Sequence, residues 1–186
     1  LLNKIAELDK ADFKKDRKLY KHFIFSDLKK GYGAKILTSG FIAAGYSLVM
    51  EAKGSKIVLD EDLLNDNNEA KFVVLSSTAL WNIPINQKIT KEILTSFNAR
   101  PSNIYGDKIR FIILDSGFKE GIDLFDVKYV HIFEDQMTEA DLTQSIGRAT
   151  RFCGQKGLSF KRNTGWILQV FQYTMYKPIS AKTSDN

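Results

Sequence analysis

Four short apolar runs constrain what this chain can fold into. Phe23-Ile24-Phe25, Phe72-Val73-Val74-Leu75, Phe111-Ile112-Ile113-Leu114 and Tyr129-Val130-His131-Ile132-Phe133 are continuous rather than alternating. A strand with one wet face alternates apolar and polar side chains, whereas a strand apolar at every position must be covered on both faces, as in a parallel sheet between helices. Each run ends in small polar or acidic residues: Ser26, Ser76-Ser77-Thr78, Asp115-Ser116-Gly117 and Glu134-Asp135.

The segments between the runs supply the covering helices. Leu2, Ile5, Leu8, Phe13 and Leu19 recur at helical spacing and predict a helix or helical arm over residues 2–20. Gly31-Tyr32-Gly33 breaks the chain before a helix predicted over 34–48, with Ile36, Leu37, Ile42 and Ala43 as its stripe. A possible strand over 56–59 leads into an acidic, Asn-rich stretch, 60–69, which reads as a solvated loop. Ile89, Ile93, Leu94 and Phe97 share one face of a helix predicted over 85–97, stopped near Pro101. Thr138 is a predicted N-cap for a helix over 138–147, with Asp141 in the capping-box place, and 166–173 is a last strand. Strands alternating with helices give an α/β fold, a single domain with a mainly parallel sheet flanked by helices. Its 186 residues are enough for one such domain and not for two.

Composition excludes several classes. A hydrophobic fraction of 44% with 26% charged residues supports an ordinary buried core. The lone Cys153 rules out an internal disulfide and points to a reducing compartment. The longest apolar stretch, 41–50, is half the roughly 20 residues needed to span a bilayer, so no membrane partner is expected. The chain begins Leu1-Leu2 without Met, which reads as a piece of something longer. Charge is uneven: residues 1–40 hold ten Lys/Arg against five Asp/Glu, 41–147 ten against sixteen, and 148–186 seven against one. Basic ends around an acidic middle fit a polyanion-facing surface, and equally fit solvated faces with a basic tail.

In open parallel sheets, ligands bind beyond the carboxyl ends of the strands. That rule directs attention to Ser26, Ser76-Ser77-Thr78, the stretch 115–121 and Glu134-Asp135. After the third run come two glycines, Gly117 and Gly121, with Asp123; exposed backbone N–H groups there suit a phosphate, and the carboxylate suits a ribose hydroxyl, although a plain strand-to-helix loop has the same composition. At the end of the last predicted helix stands Gln144-Ser145-Ile146-Gly147-Arg148-Ala149-Thr150-Arg151. Arg148 and Arg151 project to one side, and paired guanidiniums suit a phosphate chain, although an arginine pair is also common on ordinary surfaces. His22 and His131 lie inside strands with no ligand spacing around them, and no metal site is expected. Trp81 and Trp166 are expected in the core.

In order and separation, these elements resemble motifs V and VI of superfamily 2 helicases. Arg110 to Ser116 with Glu120-Gly121-Ile122-Asp123-Leu124 is similar to motif V, Gln144 to Arg151 to motif VI, and His22 to Ser26 to motif IV, the first strand of the second RecA-like lobe. Leu94 to Asn98, Asn103 to Asp107 and Glu120 look most like the helicases of large nucleocytoplasmic DNA viruses. The resemblance implies a helical arm or linker over 1–20, a RecA-like helicase C-terminal lobe over 21–176 and a flexible tail over 177–186. It implies that Arg148 and Arg151 are arginine fingers for ATP, that Gln144 couples nucleotide to nucleic acid, and that Gly121 and Asp123 lie near the ribose and phosphates. Ser116 and Gly117, and more weakly Ser26 and Ser76, Ser77 and Thr78, would touch a DNA or RNA backbone. An intracellular location is implied, host cytoplasm or virion if the source is viral.

The chain departs from a complete motor. Nothing matches the phosphate loop G-x-x-x-x-G-K-[ST], and there is no D-E-x-[DH] box for magnesium and the attacking water. ATP with Mg2+ would therefore be held mainly by an N-terminal RecA-like lobe of the same parent chain. The alternative is a catalytically silent nucleic-acid or protein binding module of a transcription complex. The purified chain is expected to turn over no ATP, and turnover that disappears in Arg148→Ala would contradict this.

Overall fold

The computed structural model describes residues 1–28, 33–66, 68–77, 81–118, 122–135, 138–150 and 153–174. In chain order the elements are α1 (Leu2–Asp16), β1 (Lys21–Ser26), α2 (Ala34–Ala43), β2 (Ser47–Leu48), β3 (Met50–Lys53), β4 (Lys56–Leu59), α3 (Glu61–Asn65) and β5 (Lys71–Leu75). They continue as α4 (Gln87–Phe97), β6 (Phe111–Asp115), a 3-10 turn (Ser116–Phe118), β7 (Val127–Ile132), α5 (Glu139–Gly147) and β8 (Gln169–Gln172). The main sheet has the order β2-β5-β6-β1-β7-β8, and every pairing in it is parallel. β3 and β4 form a separate antiparallel hairpin.

Every residue of β1, β5 and β6 is buried, the double-sided burial that their apolar sequences require. Register places His22 level with Phe111 and Tyr129, so these side chains share a face. α2 covers part of that face: the Phe41 ring lies 5.3 Å from Phe72 and 5.5 Å from Phe111. α1 covers the rest, with Ile5 and Leu8 buried. On the opposite face, Phe23, Phe25 and Leu114 meet Ser145 and Arg148 of the α5 end, and Lys21 Nζ donates to the Phe97 carbonyl at the end of α4, 2.7 Å away. Each fully buried Phe or Ile of the central strands contributes about 1.5–3 kcal/mol, which makes the three-layer sandwich the stable solution.

The α1 side of this core is polar and mostly paired, with Asp9 Oδ1, His22 Nε2 and Arg110 Nε buried without a hydrogen bond of their own. Arg110 donates to Asp9 at 2.7 Å, while Asp12 accepts from Tyr129 Oη and Lys128 Nζ, both at 2.6 Å. His22 Nδ1 and His131 Nε2 are 2.9 Å apart, and His131 Nδ1 is 2.9 Å from Tyr173 Oη. With both rings neutral and protonated on Nε2, Tyr173 donates to His131, His131 donates to His22, and His22 points its remaining N–H at Asp9 Oδ1, 3.6 Å away. Both histidines are thus packing groups, as expected. Burial pushes His131 down to about 2, and burial likewise lowers His22. Burial alone would raise Asp9, but the neighbouring His22 and Arg110 hold it below the usual carboxylate range.

Four details differ from the sequence reading. The helix predicted to run to Leu48 ends at Ala43, because Gly45 (φ 87°) turns the chain and Ser47-Leu48 pair with β5. The predicted acidic loop 60–69 contains α3: the Asp60 carboxylate accepts from Leu63 N at 3.0 Å, and Glu61 and Asp62 in the first turn suit the helix dipole. Only 169–172 of the predicted strand 166–173 is extended, preceded by an antiparallel bridge between Lys161 and Gly165. Trp81 and Trp166 are exposed, at 50% and 43%, rather than in the core. The tail 177–186 lies outside the described residues. Among the described residues no helix is long and apolar enough to cross a membrane.

The histidine pair makes stability pH-dependent. Above the ordinary histidine value of 6.5 both rings are neutral folded and unfolded; below it the unfolded chain binds protons that the folded core refuses, so stability falls with falling pH. We expect urea denaturation to show a loss of about 2–4 kcal/mol between pH 7 and pH 5, with a visibly flatter slope for His131→Phe. An unchanged slope would contradict the network.

Candidate functional site

Two buried carboxylates tie together the carboxyl ends of the four central strands. Asp115, closing β6, accepts on Oδ2 from Ser76 Oγ (2.9 Å), Ser77 N (2.7 Å) and Ser77 Oγ (2.9 Å), and on Oδ1 from Gly117 N (2.8 Å). Glu134, just past β7, accepts from Ser26 Oγ at 2.9 Å and from the Asp27 N–H. Small hydroxyl residues follow the strands because the turning backbone must satisfy its N–H groups where no further ladder partner exists. Gly117 is required sterically: a Cβ there would stand 2.1 Å from Ser77 Cβ.

Beside this edge, the segment after the 3-10 turn meets the end of α5. Leu124 N donates to the Arg148 carbonyl at 3.0 Å, which lays Asp123 alongside the Gln144–Arg148 segment. Asn98, the C-cap of α4, holds the same segment from the other side: Nδ2 donates to the Asp123 carbonyl (2.8 Å) and Oδ1 accepts from Phe125 N (2.8 Å). Thr138 caps the start of α5 by accepting from Asp141 N at 3.1 Å, while the Asp141 carboxylate accepts from the Thr138 hydroxyl at 2.7 Å. The predicted capping pair therefore forms, with the shorter acid reaching the hydroxyl.

The predicted site residues occupy three kinds of place. Asp123, Gln144, Ser77 and Gly117 are exposed along the carboxyl edge, and Ser116 is half-buried in the 3-10 turn. Ser26 and Ser76 are buried, with their hydroxyls donating to Glu134 and Asp115. Arg148 is only 5% exposed, packed with Gln144 and Ser145 against Phe23, Phe25 and Phe118. Thr78, Gly121 and Arg151 lie outside the described residues.

Sequence reasoning missed the clamp that fixes the loop after Arg148. Fully buried Asp126 accepts from Arg100 Nε (2.7 Å), Arg100 Nη2 (3.0 Å) and Gly157 N (2.9 Å). Arg100 donates onward to the Gly154 carbonyl at 2.8 Å, and Gln155 Nε2 donates to the carbonyls of Val127 and Ala149, both at 3.0 Å. Lone polar residues in loops carry no periodicity, so only the bidentate fit of an arginine to an acid could have hinted at it. Among the described residues no group of three or more His, Cys, Asp or Glu converges as a metal site.

Removing the clamp should loosen the arginine segment. Asp126→Ala leaves the Gly157 N–H and the Arg100 guanidinium without their acceptor, with an expected loss of about 2–4 kcal/mol in urea denaturation. Amide hydrogen exchange should accelerate over 148–157 more than in β1 or β6. A uniform acceleration would contradict a local clamp.

The helicase conserved C-terminal domain matches residues 19–153. A protein of Acanthamoeba polyphaga mimivirus bearing the name of an ATP-dependent RNA helicase is 33% identical over 101 residues, 54% of this chain and 12% of that protein. An uncharacterized helicase of killer plasmid pGKL-2 from Kluyveromyces lactis is 42% identical over 76 residues, 41% of this chain and 13% of that protein. The chain thus spans about an eighth of the length of these two relatives. The crystal structure of the C-terminal part of the Fun30 ATPase domain superposes with a TM-score of 0.54 at 16% identity, covering 92% of this chain and 40% of that one, and so shares the RecA-like fold. With the family match running from just before β1 to the loop beyond α5, the chain belongs to the helicase conserved C-terminal domain family.

Proposed function

We propose that this chain is the C-terminal motor lobe of an ATP-dependent superfamily 2 helicase or translocase, working on DNA or RNA. The observation that carries the reading is the 3.0 Å hydrogen bond from Leu124 N to the Arg148 carbonyl, which sets an exposed carboxylate, Asp123, beside the Gln144–Arg148 segment at the carboxyl edge. The polar groups suit a nucleotide: a carboxylate to accept from ribose hydroxyls, a carboxamide, and guanidiniums to donate to phosphate oxygens. ATP would bring its Mg2+ and the phosphoryl group whose transfer drives the cycle.

In this proposal each residue of the chain has one task. Asp123, with Gly121, orients the ribose. Arg148 and Arg151 hold positive charge at the terminal phosphates, and Gln144 links that position to the strand-binding edge. Ser77, Ser116, Gly117 and Thr78 contact the sugar-phosphate backbone, while Ser26 and Ser76 brace the edge from below through Glu134 and Asp115. Backbone contacts carry little sequence information, so base preference should be weak. The chain would work against an N-terminal RecA-like lobe of the same parent, in an intracellular setting, host cytoplasm or virion for a viral source. The low exposure of Arg148, 5%, favours a second reading, a catalytically silent binding module of a transcription complex in which this arginine only packs.

Arg151→Ala in the parent protein separates the two. A finger of this kind is worth on the order of 10³-fold or more in rate, so ATP turnover should fall by about that factor while single-strand affinity changes less than about twofold. Equal loss of both would remove the finger assignment. Unchanged turnover, or none in the unmodified parent, would favour the silent module.

A further inference from the structure

We propose that the amino-terminal edge of the sheet carries a second groove for single-stranded nucleic acid, built from the end of α1, the start of β7 and the turn before β8. A cavity of about 150 Å³ opens there, lined by Lys15, Lys128, Lys161, Tyr20, Tyr105 and Asp16 among others. Tyr20 precedes β1, Tyr105 precedes β6 and Lys128 is the second residue of β7, so in this all-parallel sheet the groove lies at the opposite end from Asp115 and Glu134. Strands of five to six residues put about 17–20 Å between the two edges, and residues of one cannot serve the other. The groove is therefore distinct from the site proposed above and does not depend on it.

Charge and ring exposure together identify the ligand class. One carboxylate lines the cavity, Asp16, which accepts from Tyr20 Oη at 2.9 Å, and one lining cation, Lys128, is paired with Asp12 at 2.6 Å, leaving the lining lysines in excess. Lys15, Lys161 and Arg162 are exposed and make no ion pair among the described residues. The turn Lys161–Gly165 also raises an aromatic pair beside them: Phe160 is 61% and Trp166 43% exposed, with ring centroids 4.8 Å apart in an edge-to-face arrangement. The Trp166 indole N–H donates to the carbonyl of Leu158, a lining residue of the groove, at 2.9 Å, so the exposed ring is held in place beside it. Cations alone would suit any polyanion. Fixed, exposed rings next to them match the alternation of phosphates and bases along a single strand, where stacking on aromatic side chains accompanies backbone neutralisation. An acidic peptide offers the charge but no rings to stack.

The test uses the chain in a Trp81→Phe background, leaving Trp166 as its only tryptophan. Titration with a 20-nucleotide oligo(dT) or oligo(U) at low salt should quench Trp166 fluorescence to saturation. Lys161→Glu with Arg162→Glu should weaken binding at least about tenfold and, by removing two phosphate contacts, lower the salt slope by about 1.4. Thermal melts check that this variant folds; if it does not, Lys15→Glu on the exposed last turn of α1 reads the same effect. Binding without quenching, with affinity unchanged in the variants, would overturn the proposal, as would no binding at all. An equal response to polyglutamate would assign the groove to an acidic protein instead and also overturn it.

Discussion

The central strands must be dry on both faces, and the rest of the molecule follows from that requirement. Every residue of β1, β5 and β6 is buried, and the polar ones stand at the strand ends, Lys21, His22 and Lys71 at the start and Ser26 and Asp115 at the finish, with apolar side chains between. Two layers of helix are the only cover available to a sheet whose neighbours are all parallel, because each crossover returns the chain over a face. α1 and α2 close one face, and α4 with the end of α5 closes the other. Once both faces are covered, chemistry can appear only at the two ends of the strands, where backbone leaves the ladder.

That requirement also explains the buried polar groups. α1 docks with two acids facing inward, and each finds a cation or a donor on the sheet: Asp9 with Arg110, Asp12 with Lys128 and Tyr129. Removing one partner of such a pair strands a charge in a dry place, whereas the intact set specifies how the helix lies. The carboxyl end follows the same rule. Asp115 and Glu134 do not reach solvent; they gather the hydroxyls and N–H groups released by the turning strands and hold β5, β6, β1 and β7 level. A level edge keeps Asp123 and the Gln144–Arg148 segment in fixed relation.

Much of this was legible in the sequence because the central strands announce themselves by unbroken apolar runs, and the strand-end polar residues then locate the edge. Both histidines could be read as packing groups since His131 stands inside such a run and His22 directly before one. The edge strand β2 and the hairpin strand β3 were hidden because Gly45 ends a helix whose apolar stripe continues in the sequence past the point where the chain turns. Asp126, Arg100, Asn98 and Gln155 were hidden because each acts alone, through a side chain reaching a distant loop. The two tryptophans were misplaced by a rule of thumb: large rings are usually covered, and here Trp166 is instead fixed at the surface by its indole N–H. The burial of Arg148 also had no signal, since arginine is seldom covered so fully.

If the carboxyl edge is where nucleotide acts, hydrogen exchange of the parent protein with and without a non-hydrolysable ATP analogue is the most direct measurement. Added protection is predicted over 115–124 and 144–151, while β1 and β5, already dry, change little. Protection absent from both segments, or confined to the amino-terminal edge, would contradict it.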